Sequence, residues 1–495
     1  MNPEMRFITI VCLFFLVSGC AVGSDYKSPE VDMPSVYRSA ASDTRDLSTA
    51  KSLADLSWNE VIVDKILRGY IDEALANSWD IKAAAARVLQ AEAALRVTRS
   101  EFLPSVSAGG DMVTSRTSEK GPAGSSGADV QHEYGDVYVA MSTYELDLWG
   151  RVSRASESAR ARLLATEAAQ DAVRQTLVIE VASTYLQLLQ LDQDLEIGRR
   201  TLVSRTKSLG LTTSRSEGGV SSLQDIAQAR ILVLTAKASI TETLRQMEQT
   251  ENAFCLLLGR NPGPVKRGRP LDDHAVRTDI PAGLPSALLE RRPDLRAAEQ
   301  QLIAANADIG QAKAAFFPQF SLTGLYGFQS ISLGSLFTSP AETWQFGPTV
   351  SVPLFTAGRL TGNYEFAKAQ FEEAVALYQN SVQAAFRDVS DTLIAYKRLR
   401  ELRVQIEELT EAYRLAADLA NIRYEGGVAS YLEVLYNEQE LFDSELYLSR
   451  TKANELLTVI QLYRALGGGW QVKGNQKNDP GSTPDGPDVA STAKK

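Results

Sequence analysis

Few residues in this 495-residue sequence carry the chemistry needed for catalysis or metal binding. There are three cysteines, Cys12, Cys20 and Cys255, and two histidines, His132 and His274. Neither histidine has a cysteine or a second histidine at ligand spacing, so both read as surface residues, His132 in a loop and His274 in a connector. Cys255, between Phe254 and Leu256-Leu257-Leu258, reads as an inert core thiol. No phosphate-cradling or dinucleotide fingerprint is present. Glu290, Arg291, Arg292 and Asp294 cluster charges that could form a polar site, although a helix N-terminal cap with solvated charges explains them better. Glu433 is a carboxylate in the turn after Gly426-Gly427, which by itself reads as a solvated helix residue. Cys20 stands apart, because it ends the small-residue run Val17-Ser18-Gly19-Cys20 directly after an apolar stretch, Phe7 to Val17, that follows Arg6. Such a stretch is too short to span a bilayer and reads as a secretory signal.

The elements needed to position these residues are long. Proline is absent from about Arg151 to Leu209 and from about Leu360 to Tyr424, and both segments are rich in Ala, Leu, Gln, Glu and Arg. Helices of that length would run roughly 80 to 100 Å. The last helix carries a heptad seam of Leu432, Leu435, Gln439, Phe442, Leu446, Ser449, Ala453, Leu456, Ile460 and Tyr463, and eight of these ten are apolar, which predicts coiled-coil packing. Gly218-Gly219-Val220 and Gly426-Gly427-Val428 predict hairpin tips near 216–221 and 424–430. The sequence also repeats. At offset 214, Asp80, Phe102, Pro104 and Ser107 meet Asp294, Phe316, Pro318 and Ser321; at offset 208, Gly150-Arg151 meets Gly358-Arg359 and Glu217 to Val220 meets Glu425 to Val428. Two halves of one architecture follow, with the change of offset falling in the loop Gly121 to Gly127.

Four segments alternate as strands. Phe320, Leu322, Tyr326 and Phe328 share one face, as do Trp344, Phe346, Val350, Val352 and Leu354, while the opposite faces are polar but uncharged. First-half strands near 104–114 and 134–148 are noisier, with Tyr138, Ala140, Tyr144, Leu146 and Leu148 placed on a common face. The length and the aromatic ends match a tilted membrane strand facing lipid on one side and a wet lumen on the other. Pro348 and Pro353 belong at a bulge or strand end. Four strands cannot close a barrel, so a membrane-spanning sheet requires oligomerisation. A net charge of −10 argues against a nucleic-acid partner. Beyond the N-terminal stretch no apolar run is long enough for a transmembrane helix. The mean hydropathy of −0.16 does not exclude short alternating strands.

Two resemblances extend this reading. The end of the signal resembles the lipobox of bacterial lipoproteins, which implies cleavage before Cys20, S-diacylglycerol and N-acyl groups on it, and no other cofactor. Ala21 after the cysteine is similar to lipoproteins sorted to the outer membrane. The stretch Leu284-Pro285-Ser286-Ala287-Leu288-Leu289-Glu290-Arg291-Arg292-Pro293-Asp294-Leu295-Arg296, continuing to Phe316-Phe317-Pro318, resembles the NodT-type branch of the outer-membrane factor family, the TolC-like ducts of tripartite efflux pumps. Tyr144 to Arg151, Leu257 to Gly263 and Ala465 to Trp470 match as well.

The resemblance implies a mixed α/β membrane protein. Each of three protomers would give four strands to a twelve-stranded barrel continued by a helical coiled-coil barrel in the periplasm. It implies a Gram-negative outer-membrane location, a periplasmic adaptor bound at the hairpin tips, and an inner-membrane transporter of the resistance-nodulation-division type. It also implies gating without bond chemistry. Tyr424 matches a tyrosine that ties the second hairpin to a neighbouring helix, Leu432 an apolar ring, and Glu433 and Tyr436 two acidic-ring positions, of which only Glu433 keeps the acid. Leu432 could equally be a packed heptad residue. Ala429 stands where some members carry arginine.

The expected organisation is a signal peptide at 1–19, an acylated extended segment at 20–57, repeats at 58–268 and 269–470 with second-half strands near 318–329 and 344–355, and a disordered tail at 471–495. Three functions fit: a duct passing small molecules such as drugs, a type I protein-secretion duct, or a non-conducting periplasmic coiled-coil lipoprotein.

Overall fold

The computed structural model describes residues 22–31, 53, 56–118, 120, 131–273 and 287–469. The signal segment, Cys20, the loop 121–127, His274 and the tail after 470 lie outside these residues. The described elements run α1 (Trp58–Val61), α2 (Lys65–Asn77), α3 (Trp79–Ser100), β1 (Val106–Arg116), β2 (Gln131–Leu146), α4 (Arg151–Glu217) and α5 (Leu223–Leu257), then α6 (Ala287–Arg291), α7 (Pro293–Ala314), β3 (Gln319–Ser330), β4 (Glu342–Ser351), α8 (Arg359–Glu425) and α9 (Tyr431–Ala465). Corresponding helices have equal lengths: 22 residues for α3 and α7, 67 for α4 and α8, 35 for α5 and α9. Among the described residues no helix is long and apolar enough to cross a membrane.

Packing divides the chain into two compact units, one built on 83–170 and 294–383 with the N-terminal strand of chain, the other on 171–293 and 384–469 with α1 and α2. In the first unit the four strands form an antiparallel meander in the order β1-β2-β3-β4. Pairing sets Phe320 opposite Val350, Leu322 opposite Pro348, Gly324 opposite Phe346 and Tyr326 opposite Trp344, so one face is apolar. The reverse face pairs Gln319 with Ser351, Ser321 with Thr349 and Thr323 with Gly347.

A β-bulge between Met141 and Tyr144 corrects the reading of β2. Tyr144 and Leu146 oppose Leu322 and Phe320 on the apolar face, but Tyr138 and Ala140 oppose Gly327 and Leu325 on the other. A bulge adds one residue to a strand and flips every side chain beyond it, which is why the first-half alternation looked noisy. The apolar face continues instead through Met141, Val139 and Val137, then Val106, Ala108 and Met112 of β1. Leu148, Val352, Pro353 and Leu354 lie beyond the strand ends, so Val352 is not a strand residue. Pro348 sits in β4, an edge strand, where a missing N–H is tolerated.

The second unit has the main core. Tyr70 of α2 meets Phe254 of α5 edge-on at 5.1 Å and Tyr185 of α4 at 6.1 Å, and Cys255 is buried beside them with its thiol donating to the Gly263 carbonyl. A smaller cluster, Ala229, Ala420, Tyr424, Tyr431 and Val434, packs near the Gly-Gly turns. It corrects the first turns of the α9 seam. The buried stripe there starts Tyr431, Val434, Glu438 and Phe442, while Leu432 is 59% exposed. The stripe runs one residue earlier than the expected seam only at its start, where Tyr431, Val434 and Glu438 take the places of Leu432, Leu435 and Gln439; Phe442, Ser449, Ala453, Ile460 and Tyr463 are buried as the seam predicts.

Candidate functional site

Two places concentrate the motifs. The first is the strand-to-helix junction of the sheet-bearing unit. Asp147 accepts from the backbone N–H groups of Val152 and Ser153 at 3.0 and 2.8 Å and so caps α4, satisfying donors that a helix start leaves free. Arg151 pairs with Glu145 and Glu101. The Trp149 ring stacks on Phe317 at 4.9 Å and its indole N–H donates to the Pro318 carbonyl at 2.7 Å, fastening the end of β2 to the start of β3. Trp149→Ala is expected to cost about 2 kcal/mol, one ring pair plus one hydrogen bond, read as a lower thermal unfolding midpoint in detergent; an unchanged midpoint would contradict the fastening role.

At the same junction the segment beginning two residues after Cys20 is strapped down. Val22 donates to the Trp149 carbonyl, Asn306 to the Ser24 carbonyl, and Arg154 pairs with Asp25. A Cβ on Gly23 would come within 3.0 Å of the Gly310 backbone, so the strap lies directly on α7.

The second place is the pair of hairpin tips. Gly219 and Gly427 have φ of 78° and 75°, and Val220 and Val428 donate back to the Arg215 and Arg423 carbonyls at 2.8 and 3.0 Å. Each tip is therefore a glycine-terminated helix end of the Schellman type, which explains the paired Gly-Gly. Gly218 and Gly426 precede them in the turns, and α4 and α8 run to Glu217 and Glu425.

Tyr424 joins the two tips. It is 5% exposed, meets Tyr431 edge-on at 5.3 Å, shares a 3.1 Å hydrogen bond with the Ser221 hydroxyl, and carries the Arg215 guanidinium 4.8 Å from its ring centre. Arg215 also donates to the Glu425 carbonyl at 3.1 Å. Glu433 occupies the first turn of α9, favourable for an acid at a helix N-terminus, and faces Arg423 at 3.5 Å with both side chains partly exposed. Leu432 and Tyr436 are exposed and have no place in the chain's own core.

Some placements differ from the sequence reading. Arg292 is buried, not solvated, and reaches the Asp388 carboxylate and the Ala465 carbonyl. Arg205 and Glu438, both buried between helices near the tips, escaped notice, since a single arginine in a 67-residue polar helix carries no local signal. Among the described residues no cluster of His, Cys, Asp and Glu could hold a metal.

The profile of the outer membrane efflux protein family matches residues 70–260 and again 284–468. The chain is 39% identical to the solvent efflux pump outer membrane protein SrpC of Pseudomonas putida over 93% of this chain and 97% of that one. It is 34% identical to the outer membrane protein OprJ of Pseudomonas aeruginosa over 94% and 96%. Its fold superposes on the open state of the Neisseria gonorrhoeae MtrE outer membrane channel with a TM-score of 0.81 at 30% identity, covering 91% of this chain and 99% of the other. With an exposed apolar sheet and two long helical hairpins already in view, these matches make the chain a member of the outer membrane efflux protein family, residing in the outer membrane.

Proposed function

We propose that three copies of this chain close a twelve-stranded barrel in the outer membrane and form the exit duct of a tripartite pump for small molecules. One observation carries this: the four-stranded sheet has a continuous apolar face and ends in two strands, β1 and β4, without a second partner among the described residues. Trp344, Phe346, Val350, Tyr326 and Met112 on that face are more than half exposed, far more apolar surface than water tolerates in one patch. Phe320, Leu322 and Phe328 lie on the same face. Unpaired edges cost several kcal/mol per backbone group in hydrocarbon, and pairing β4 of each copy with β1 of the next removes them.

The two halves, with matched helix lengths and the same tip geometry, are a duplicated unit. Cys20 carries the lipid anchor, and the strap that begins at Val22 is fastened at the strand-to-helix junction. The tips, through Gly218 to Val220 and Gly426 to Val428, meet a periplasmic adaptor that in turn holds an inner-membrane transporter, probed by crosslinking from Val220 and Val428. Relatives named for solvent efflux favour small apolar cargo over polypeptides.

Leu432, Glu433 and Tyr436 line the periplasmic constriction and Tyr424 braces it. Support comes from the exposure of Leu432 and Tyr436 on α9 while its buried stripe is filled by other residues. In planar bilayers Leu432→Ala is expected to raise single-channel conductance several-fold, and Glu433→Ala to reduce the preference for cations. Wild-type conductance and selectivity in both would sink the assignment.

A further inference from the structure

Arg205 is the largest fully buried side chain described, 1% exposed on α4. One Nη donates to the Leu232 carbonyl of α5 at 3.1 Å. The other donates to the Glu438 carbonyl at 3.3 Å and the Gln439 side-chain oxygen at 3.2 Å, both on α9, and the guanidinium lies 4.9 Å from the centre of the Phe442 ring. A single cation from the first hairpin thus grips the backbone of the second, just past the helical turn that carries Leu432, Glu433 and Tyr436.

The grip is incompletely satisfied. Asn421 of α8 donates to one Glu438 carboxylate oxygen at 3.3 Å, but the other oxygen and the Arg205 Nε are buried without partners. Other cations nearby are engaged: in the adjoining cavity of about 360 Å³, Arg200 of α4 and Arg414 of α8 both pair with Glu445, at 2.8 and 2.9 Å. From α9 itself, Tyr431 and Asp443 add negative or polar character, and α5 presents the Leu232 carbonyl. A guanidinium and a carboxyl buried without a direct bond between them are poor sources of stability, and apolar residues would pack the hairpins at least as firmly.

We infer that Arg205 is a positioning residue of the periplasmic gate, clamping α9 to the first hairpin so that Leu432, Glu433 and Tyr436 keep their placement, with the half-satisfied Glu438 carboxyl buried beside the clamp as its titrating neighbour. This rests on the reading of those three residues as the constriction. The sign of the pH effect follows from burial, which pushes the Glu438 carboxyl up against the opposing pull of Asn421 and Arg205. A carboxyl that holds its proton more tightly packed than solvated stabilises the packed hairpins as pH falls, and loosens them as pH rises through its folded-state value and the carboxylate forms. Burial lowers the proton affinity of Arg205, yet a guanidinium stays charged in proteins.

The test is conductance of the purified full-length protein in planar bilayers between about pH 5 and about pH 8, above the ordinary carboxylate range. Wild-type conductance is expected to fall on acidification. Glu438→Gln, nearly isosteric with the protonated acid, should stay at the acid level throughout and lose the pH slope. Arg205→Lys cannot reach three acceptors at once and should raise the open fraction roughly tenfold at neutral pH. A Glu438→Gln protein that keeps the wild-type slope, or an Arg205→Lys protein with wild-type conductance, overturns the clamp. If Leu432→Ala still changes conductance in that case, the gate stands and only the clamp falls; if it too is silent, both fall.

Discussion

Replacing Gly327 with valine should abolish the folded sheet and with it any heat-stable assembly in the outer membrane. Gly327 is buried in β3 opposite Tyr138 of β2. A Cβ there would press on the Val137 carbonyl oxygen and lie 2.7 Å from the Tyr138 Cα, both backbone atoms of the paired strand. Side chains can rotate away from such an intrusion; a ladder strand can move only by giving up hydrogen bonds, and in hydrocarbon each lost bond costs several kcal/mol. Tyr138 depends on this space on its other side too, since its ring lies over Gly109 of β1, where a Cβ would come within 2.8 Å of it. Gly324 provides the control. The nearest atoms to a Cβ at that position are side-chain carbons 3.7 Å away, so Gly324→Ala should leave the sheet intact. Heat-modifiable migration of outer-membrane fractions distinguishes the two, and a wild-type pattern for Gly327→Val would refute the close-approach account.

Removing the Asp64 carboxylate is expected to destabilise the second unit by about 3 to 5 kcal/mol, the sum of a lost helix cap and several stranded buried donors. Asp64 is 4% exposed at the N-cap of α2. It accepts from the N–H groups of Ile66 and Leu67 at 2.7 and 3.3 Å, from the Arg269 N–H at 3.4 Å, and from the Tyr185 hydroxyl at 3.4 Å. Burial pushes the Tyr185 hydroxyl up to about 12, so it remains a donor at any physiological pH. One carboxylate thereby joins α2, the middle of α4 and the segment after α5. Far-UV melting of Asp64→Ala should show a marked drop in midpoint and Asp64→Asn a smaller one, because asparagine keeps an acceptor oxygen for the cap. Equal midpoints for wild type and Asp64→Ala would show that the junction contributes nothing.

The parts of the fold legible in the sequence are those set by local chemistry. Strings of helix formers without proline run where α4 and α8 run, and Gly-Gly marks both tips because a left-handed residue at a helix end favours glycine whatever the rest of the chain does. The alternation from Phe320 to Phe328 survives as the apolar face of β3 because no bulge interrupts it. In β2 the same reasoning gave a wrong face for Tyr138 and Ala140, since the bulge past Met141 is fixed by pairing with β3 and leaves no mark of its own in the residues of β2.

Function divides along the same line. The strand alternation pointed to a membrane sheet that needs other copies to close it, and the motif from Leu284 to Pro318 pointed by resemblance to an outer-membrane efflux duct, because each is a property of a short segment. Which residues of the first turns of α9 are buried, and that Arg205 spans to α9, were decided only in three dimensions. Leucine at position 432 satisfies a heptad on paper but is exposed, because Tyr424 and Ala420 across the hairpin bury Tyr431 and Val434, with Leu435 only partly buried against them. Burial of a charge depends on partners 233 positions away, as between Arg205 and Glu438, and no local pattern encodes a partner at that distance.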